Sequence, residues 1–428
     1  MNHKRKLLFS NFTFEHWKNL ILFAMICFYI GNFVISFGYG APGLDYLAFW
    51  SAGRIADEKG YSEIYNPNNL RSIQIQELKE LGFLDKTDDL LFSPNPAPYF
   101  SFFILPFQLL SRVILINSFW IWTILNLIIL IGYLVFFLQK TRRESCATIF
   151  GTNLLILVLI SWPVFSNISN GQVNVFLLVC AGEFIRYAVS KKPFLSGLWL
   201  GGLLFKPQLL ILIIPIFLIM RNWKVLYGFI VSSGIILMTS LLLSGFAGMK
   251  ALINLWTKYS VGMASNFPEG MINWRMVGVN VNTIMNTSLG WIITGLGMVL
   301  TILAVYFLIK HKPPYGSPQW VMAMLGVFSA TLAITWHSHY HMAMVLIPFL
   351  VYASLFKLLS EKIIFLWVIV TPAVYFVMMI VDLLVIYFAK INFSNFPLKV
   401  AAFSGLILNL VILVSAIKSS YNSKLMHD

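Results

Sequence analysis

The sequence predicts an all-α polytopic membrane protein with about 12 transmembrane helices. Three observations carry this. The 428 residues are 59% hydrophobic and only 11% charged, whereas a soluble chain is nearer half apolar and a quarter charged. The mean hydropathy is +0.80. Apolar runs of spanning length recur from end to end, broken by polar punctuation. Together these exclude a cytosolic enzyme, a disordered chain and a secreted disulfide scaffold. The three cysteines, Cys27, Cys146 and Cys180, have no CxxC spacing and read as small buried hydrophobes.

The first run, 17–38, follows the basic Lys4-Arg5-Lys6 and has no small-residue cleavage site, so it reads as an uncleaved span. A long outer loop over 39–114 comes next. It carries nine of the chain's 16 acids (Asp45, Asp57, Glu58, Glu63, Glu77, Glu80, Asp85, Asp88 and Asp89). Its pattern predicts short amphipathic juxtamembrane helices, interrupted at Pro67-Asn68-Asn69 and stopped at Gly82. The apolar stretch Pro96–Arg112 is too short to span, contains Pro106, and reads as a helix lying along the interface. Further spans are expected at 115–138, 147–165, 173–189, 194–206, 207–220 and 223–244. The pair at 194–220 is either two half-length helices or one long tilted one. A second outer loop is expected over 245–288, followed by spans at 289–309, 319–336, 341–357, 363–388 and 400–417. The whole chain reads as one integral membrane domain.

Charge orients this arrangement. With Lys4–Lys6 inside, alternation also places inside Lys18, Lys140, Arg142, Arg143, Arg186, Lys191, Lys192, Arg221, Lys224, Lys310, Lys312, Lys357, Lys362, Lys418 and Lys424. That makes 18 of the 30 basic residues, the positive-inside pattern. Both termini are then cytoplasmic in a cell membrane. The formal charge of +14 belongs to this edge. With no RNA- or DNA-binding motif beside it, it does not indicate nucleic-acid binding.

Polar groups in or near hydrocarbon are costly, so they point to function, and most of them fall on the outer face. Asp45, just past the first span, is either a helix N-cap or a general base for an acceptor hydroxyl. Asn170-Gly171-Gln172-Val173-Asn174 is either a capped glycine turn or a set of amides suited to sugar hydroxyls, and Tyr99 and Asn280 join it as sugar or acceptor candidates. Lys206, before Pro207 in apolar sequence, needs an anion or a path to water, and phosphate suits a lysine point charge. Arg275 can bind phosphate in bidentate fashion. His337-Ser338-His339-Tyr340-His341 offers acid/base or phosphate contacts, a zinc site, or packing. Glu183 and Asp382 lie inside spans and have no partner assigned.

The order of these features resembles glycosyltransferase family 87: a basic N-terminus, one span, Asp45, Tyr65-Asn66-Pro67, Pro96–Pro106, Gly171-Gln172-x-Asn174, Gly201–Lys206-Pro207 and a late histidine. The resemblance runs from about residue 30 to 345. It implies a GT-C-type fold and an inverting transfer of mannose or another hexose from a polyprenyl-phosphate-sugar to a lipid-linked or glycolipid acceptor among membrane lipids. Asp45 would match the family's first-loop aspartate, Lys206 its Lys-Pro motif, and His339 or His341 its late histidine. Metal-dependent GT-C relatives carry a second acidic motif where this chain reads Ser169-Asn170-Gly171-Gln172, so a metal-independent reaction without a cofactor is expected. Two rivals remain at this point. A flippase would show midplane charges and inverted repeats, and an O-antigen-type ligase or polymerase would carry its large outer loop late in the chain.

Overall fold

A computed structural model describes residues 14–39, 43–84, 92–144, 151–261, 267–310, 312–390 and 395–422, and these are mainly helical with no strand among them. The expected features at 4–6, 40–42, 85–91, 145–150 and 424 lie outside the described residues. The chain runs α1 (Phe14–Tyr39), α2 (Leu44–Glu58), α3 (Pro67–Glu80), α4 (Leu105–Leu110), α5 (Leu115–Glu144), α6 (Gly151–Leu159), α7 (Trp162–Ser169), α8 (Asn174–Val189), α9 (Pro193–Gly201), α10 (Ile213–Ile219), α11 (Trp223–Val261), α12 (Trp274–Met285), α13 (Leu289–Ile309), α14 (Pro318–Ile334), α15 (Ile347–Leu355), α16 (Glu361–Ala389) and α17 (Phe396–Asn422).

Among the described residues five helical stretches are long and apolar enough to cross a membrane: Leu115–Thr141, Trp223–Lys258, Leu289–Ile309, Glu361–Ala389 and Phe396–Ser419. Several of the other expected spans are shorter or divided. The run 147–165 is split at Ser161, because Pro163 starts a new helix, α7. The run 194–220 is two pieces: α9 passes into a 3₁₀ turn (Gly202–Phe205), Lys206 is extended, and a second 3₁₀ turn (Pro207–Leu210) precedes α10. Pro207 causes the break. It lacks an N–H and disfavours helical geometry at the residue before it, and Lys206 takes φ −131°, ψ 81°.

Two expectations about the long loops are corrected. The segment 245–288 holds helices among its described residues: the expected span ends at a break at Gly245 (φ 63°), a further helix then runs to Val261, and α12 follows. Nor is α2 amphipathic in the sense expected. From Tyr46 to Gly53 each residue is buried, and full exposure begins only at Asp57. The rings of Phe49 and Phe107 stack at 4.6 Å, while Trp50 donates from Nε1 to the Val113 carbonyl. In 39–114 the second helix starts at Pro67 under an Asn66 cap, so Pro67 opens α3.

A close helix crossing supports the middle of the chain. A Cβ at Gly197 would lie 2.0 Å from the Val225 carbonyl oxygen, and one at Gly228 would lie 2.1 Å from that of Phe194. α9 therefore meets α11 backbone to backbone, as small residues permit between apolar helices. This contact fixes the approach to Lys206.

Candidate active site

Asp45 is the second residue of α2. Gly43 occupies the cap position and no side chain caps the helix, so Asp45 is not an N-cap. Its carboxylate instead accepts side-chain hydrogen bonds from Gln172 and Asn95, with Lys206 close enough to act on it electrostatically. Burial holds the Asp45 carboxyl above its ordinary range; Gln172, Lys206 and Asn95 pull it back, in that order of effect.

Gln172 reaches Asp45 from a tightly folded turn between α7 and α8. Its backbone N–H donates to the Asn167 carbonyl at 2.8 Å. Asn174 donates to Asn167 Oδ1 from both its backbone N (2.9 Å) and Nδ2 (3.0 Å). Asn170 Nδ2 donates to the Ser166 carbonyl at 2.8 Å, and the Asn170 carbonyl accepts from Tyr46 N at 3.1 Å. The amides of Asn170 and Asn174 are thus engaged in building the turn, and that of Gln172 projects from it. On its other side Gln172 Oε1 accepts from Lys206 Nζ at 3.1 Å. Lys206, only 3% exposed, is thereby linked to Asp45 through one amide.

The histidines lie beyond Lys206, whose charge reaches both His337 and His341. Residues 335–339 are non-helical, His339 is extended, and a 3₁₀ segment (Tyr340–Leu346) follows. The His337 and His339 rings are 4.8 Å apart and those of His339 and His341 5.7 Å. Burial first, and then His339, Lys206 and Arg275, hold the His337 imidazole well below its ordinary range, and so neutral. Among the described residues no three His, Cys, Asp or Glu side chains are grouped to hold a metal ion.

Arg275, at the start of α12, is laced to this loop. Its Nη1 donates to the Trp336 carbonyl at 3.2 Å, its guanidinium lies 4.5 Å from the Trp336 ring centroid, and its buried Nε has no partner. Asn273 Nδ2 donates to the Thr335 carbonyl at 2.8 Å, and Ile272 N to that of Ser338 at 2.9 Å. Asn280 is placed differently: it donates to the Glu269 and Met276 carbonyls within its own region. Tyr99 contributes to an aromatic floor beside Lys206, its ring stacked on Phe49 at 5.0 Å and edge-on to Phe205 at 5.0 Å.

Asn95 is the residue that sequence reasoning missed, together with its support, Gln74. Gln74 Nε2 donates to the Asn95 carbonyl (2.7 Å) and to Ser51 Oγ (2.9 Å), while Gln74 Oε1 accepts from Asn95 N (2.9 Å). A signal existed: Leu70, Gln74 and Leu78 form the buried stripe of α3, and an amide at the centre of an apolar stripe requires a partner.

A model of glycosyltransferase family 87 matches residues 97–335, more than half of the chain. The chain belongs to glycosyltransferase family 87. Gln172, Lys206 and Arg275 lie within the matched region of this family 87 member, while Asp45 and the three histidines lie outside it. No curated protein and no solved structure matches. Membership makes the chain a glycosyltransferase with membrane helices, and it removes the flippase reading.

Proposed function

We propose that this family 87 protein is an inverting transferase that moves a hexose, mannose in the first instance, from a polyprenyl-phosphate-sugar to a lipid-linked or cell-envelope glycan acceptor. The observation that carries the reading is the Asp45 carboxylate held between two amides with the Lys206 ammonium one amide away. Asp45 takes the proton of the acceptor hydroxyl as that oxygen attacks the anomeric carbon. The attack comes from the side opposite the phosphate, so the configuration inverts. One base with no second catalytic carboxylate suits direct displacement. Lys206 offsets the charge that develops on the departing polyprenyl phosphate. Arg275, with its unpartnered Nε, and the histidines, which feel the Lys206 charge, would contact the same anion. The leaving phosphate is a stable anion, so the reading needs no metal. The Lys/Arg distribution supports an outer-face site with cytoplasmic termini.

Purified protein, polyprenyl-phosphate-mannose and membrane-lipid acceptors test this directly. Transfer with inversion that survives EDTA and disappears in Asp45→Ala with folding retained is the expected result. Full activity in that variant removes Asp45 as the base. In a background without native cysteines, Lys59→Cys should label from outside and Lys224→Cys from inside. The reverse pattern would invert the orientation.

A further inference from the structure

Gln172 does more than join two charges. A glutamine amide has a donor end and an acceptor end. Here Lys206 settles which is which, because an ammonium can only donate, so Oε1 faces the lysine and Nε2 is left for Asp45. The backbone around Gln172 is anchored by the bonds to Asn167 and by Gly171. At Gly171, with φ 63°, an added Cβ would stand 2.5 Å from Tyr46 Cβ. The amide is therefore presented from a braced turn, and Lys206, on its four-carbon stem, meets it from a second anchored backbone. Lys206 has three donors and, among the described residues, one hydrogen bond, to Gln172. A direct Lys206–Asp45 ion pair in so buried a place would occupy the cation and the base together.

We infer that Gln172 is a positioning residue: its Nε2 holds the Asp45 carboxylate in place while its Oε1 parks Lys206, so that an arriving phosphate draws the lysine away and the base keeps its orientation. The inference rests on the transfer reading above. Among the described residues the other charged and titratable groups around α2 are engaged elsewhere. Asp57 binds Arg112, Glu58 binds Arg54, and Glu77 accepts from Leu115 N. Glu63 accepts from Asn66 and Asn69, and Lys59 donates to Asn69. Tyr46 bonds Ser118, Tyr61 bonds Gln108, and Tyr65 bonds the Tyr99 carbonyl. The three histidines act beyond Lys206.

Gln172→Met, similar in length but without the amide, is the test, with Gln172→Asn as a second variant should the first misfold. In Gln172→Met the hydrogen bond that favours the charged carboxyl is gone. The acid limb of the transfer rate should then move up by about one pH unit, with a larger loss in kcat than in donor affinity. The same shift should appear without turnover, in the infrared C=O band of protonated Asp45, assigned by its loss in Asp45→Asn. An unmoved limb and an unmoved band, in whichever variant folds, overturn the inference. If the band moves but no sugar transfer occurs in the wild-type protein, the positioning role stands and the transfer reading falls.

Discussion

Two carboxylates in this molecule, the half-buried Asp45 and the buried Glu183, sit on helices, and their surroundings are opposite. Glu183 on α8 is closed off. Arg186 Nε donates to its two oxygens at 3.0 and 2.9 Å, Arg186 Nη2 reaches Oε2 at 2.5 Å, and Tyr133 OH donates at 3.2 Å. The arginine also packs over the Tyr187 ring at 4.0 Å. Asp45 has amides for neighbours and its nearest cation is held by one of them. The first arrangement spends its charge on structure. The second leaves both the carboxylate and the ammonium able to engage something else. What separates the two ionic groups here is the spacing of the cation.

The comparison can be broken most decisively at Asp45. Asp45→Asn should lower the transfer rate by about 10²–10⁴-fold, the range of a lost general base, in a steady-state assay of the folded protein. Lys206→Met should come next, with a loss of about 10²-fold or more from an unoffset leaving-group charge, read as a fall in kcat/KM for the donor. At the closed site the same kind of change should act on stability. Glu183→Gln weakens a largely buried pair whose arginine is 20% exposed. The expected cost is about 1–3 kcal/mol, seen as a lower Tm with turnover per folded molecule retained.

A smaller effect sharpens the contrast, because carboxylate-to-amide substitution should have the opposite sign at Asp45. Its carboxyl is held above the ordinary range in the folded protein. The folded state therefore binds the proton more tightly than the unfolded chain, and stability contributed by this group declines as pH rises through that window. Asp45→Asn removes that burden, so its Tm at neutral pH should rise slightly. A fall of the kind expected for Glu183→Gln would place Asp45 with the structural carboxylates. The wild-type rate should itself decline on acidification at a pH above the ordinary aspartate value of 3.8, since only the ionised base accepts a proton.

Much of the helical layout was legible because hydrocarbon imposes long apolar runs. α13 is Leu289–Ile309, where a span at 289–309 was expected, and α5 and α16 begin within a few residues of their runs. The breaks were harder to read. Pro207 announced one and the end of the 223–244 run another, at Gly245, but the split of the 147–165 run at Ser161 was not expected. The burial of α2 was not legible either. Its periodicity suggests one apolar face, and only the packing of α3 and α5 around it shows where Ser51 and Tyr46 are accommodated. At the site, Asp45, Gln172, Lys206 and the histidines stood out because their chemistry is costly beside lipid. Asn95 did not, because its position depends on Gln74, a contact between segments that no local pattern encodes. The partner of Glu183 was legible and missed: Arg186 lies three residues on in an expected helix, so the two share a face.

The seam between α2 and the 170–174 turn has a consequence for how this protein can change over time. A Cβ at Gly43 would lie 2.6 Å from the Asn170 carbonyl, and one at Gly171 would strike Tyr46. Neither glycine can accept a side chain while the other segment stays where it is. Asp45 and Gln172, far apart in the sequence, are therefore tied to two positions that can vary only in concert. Such a lock leaves single-step drift little room at this seam.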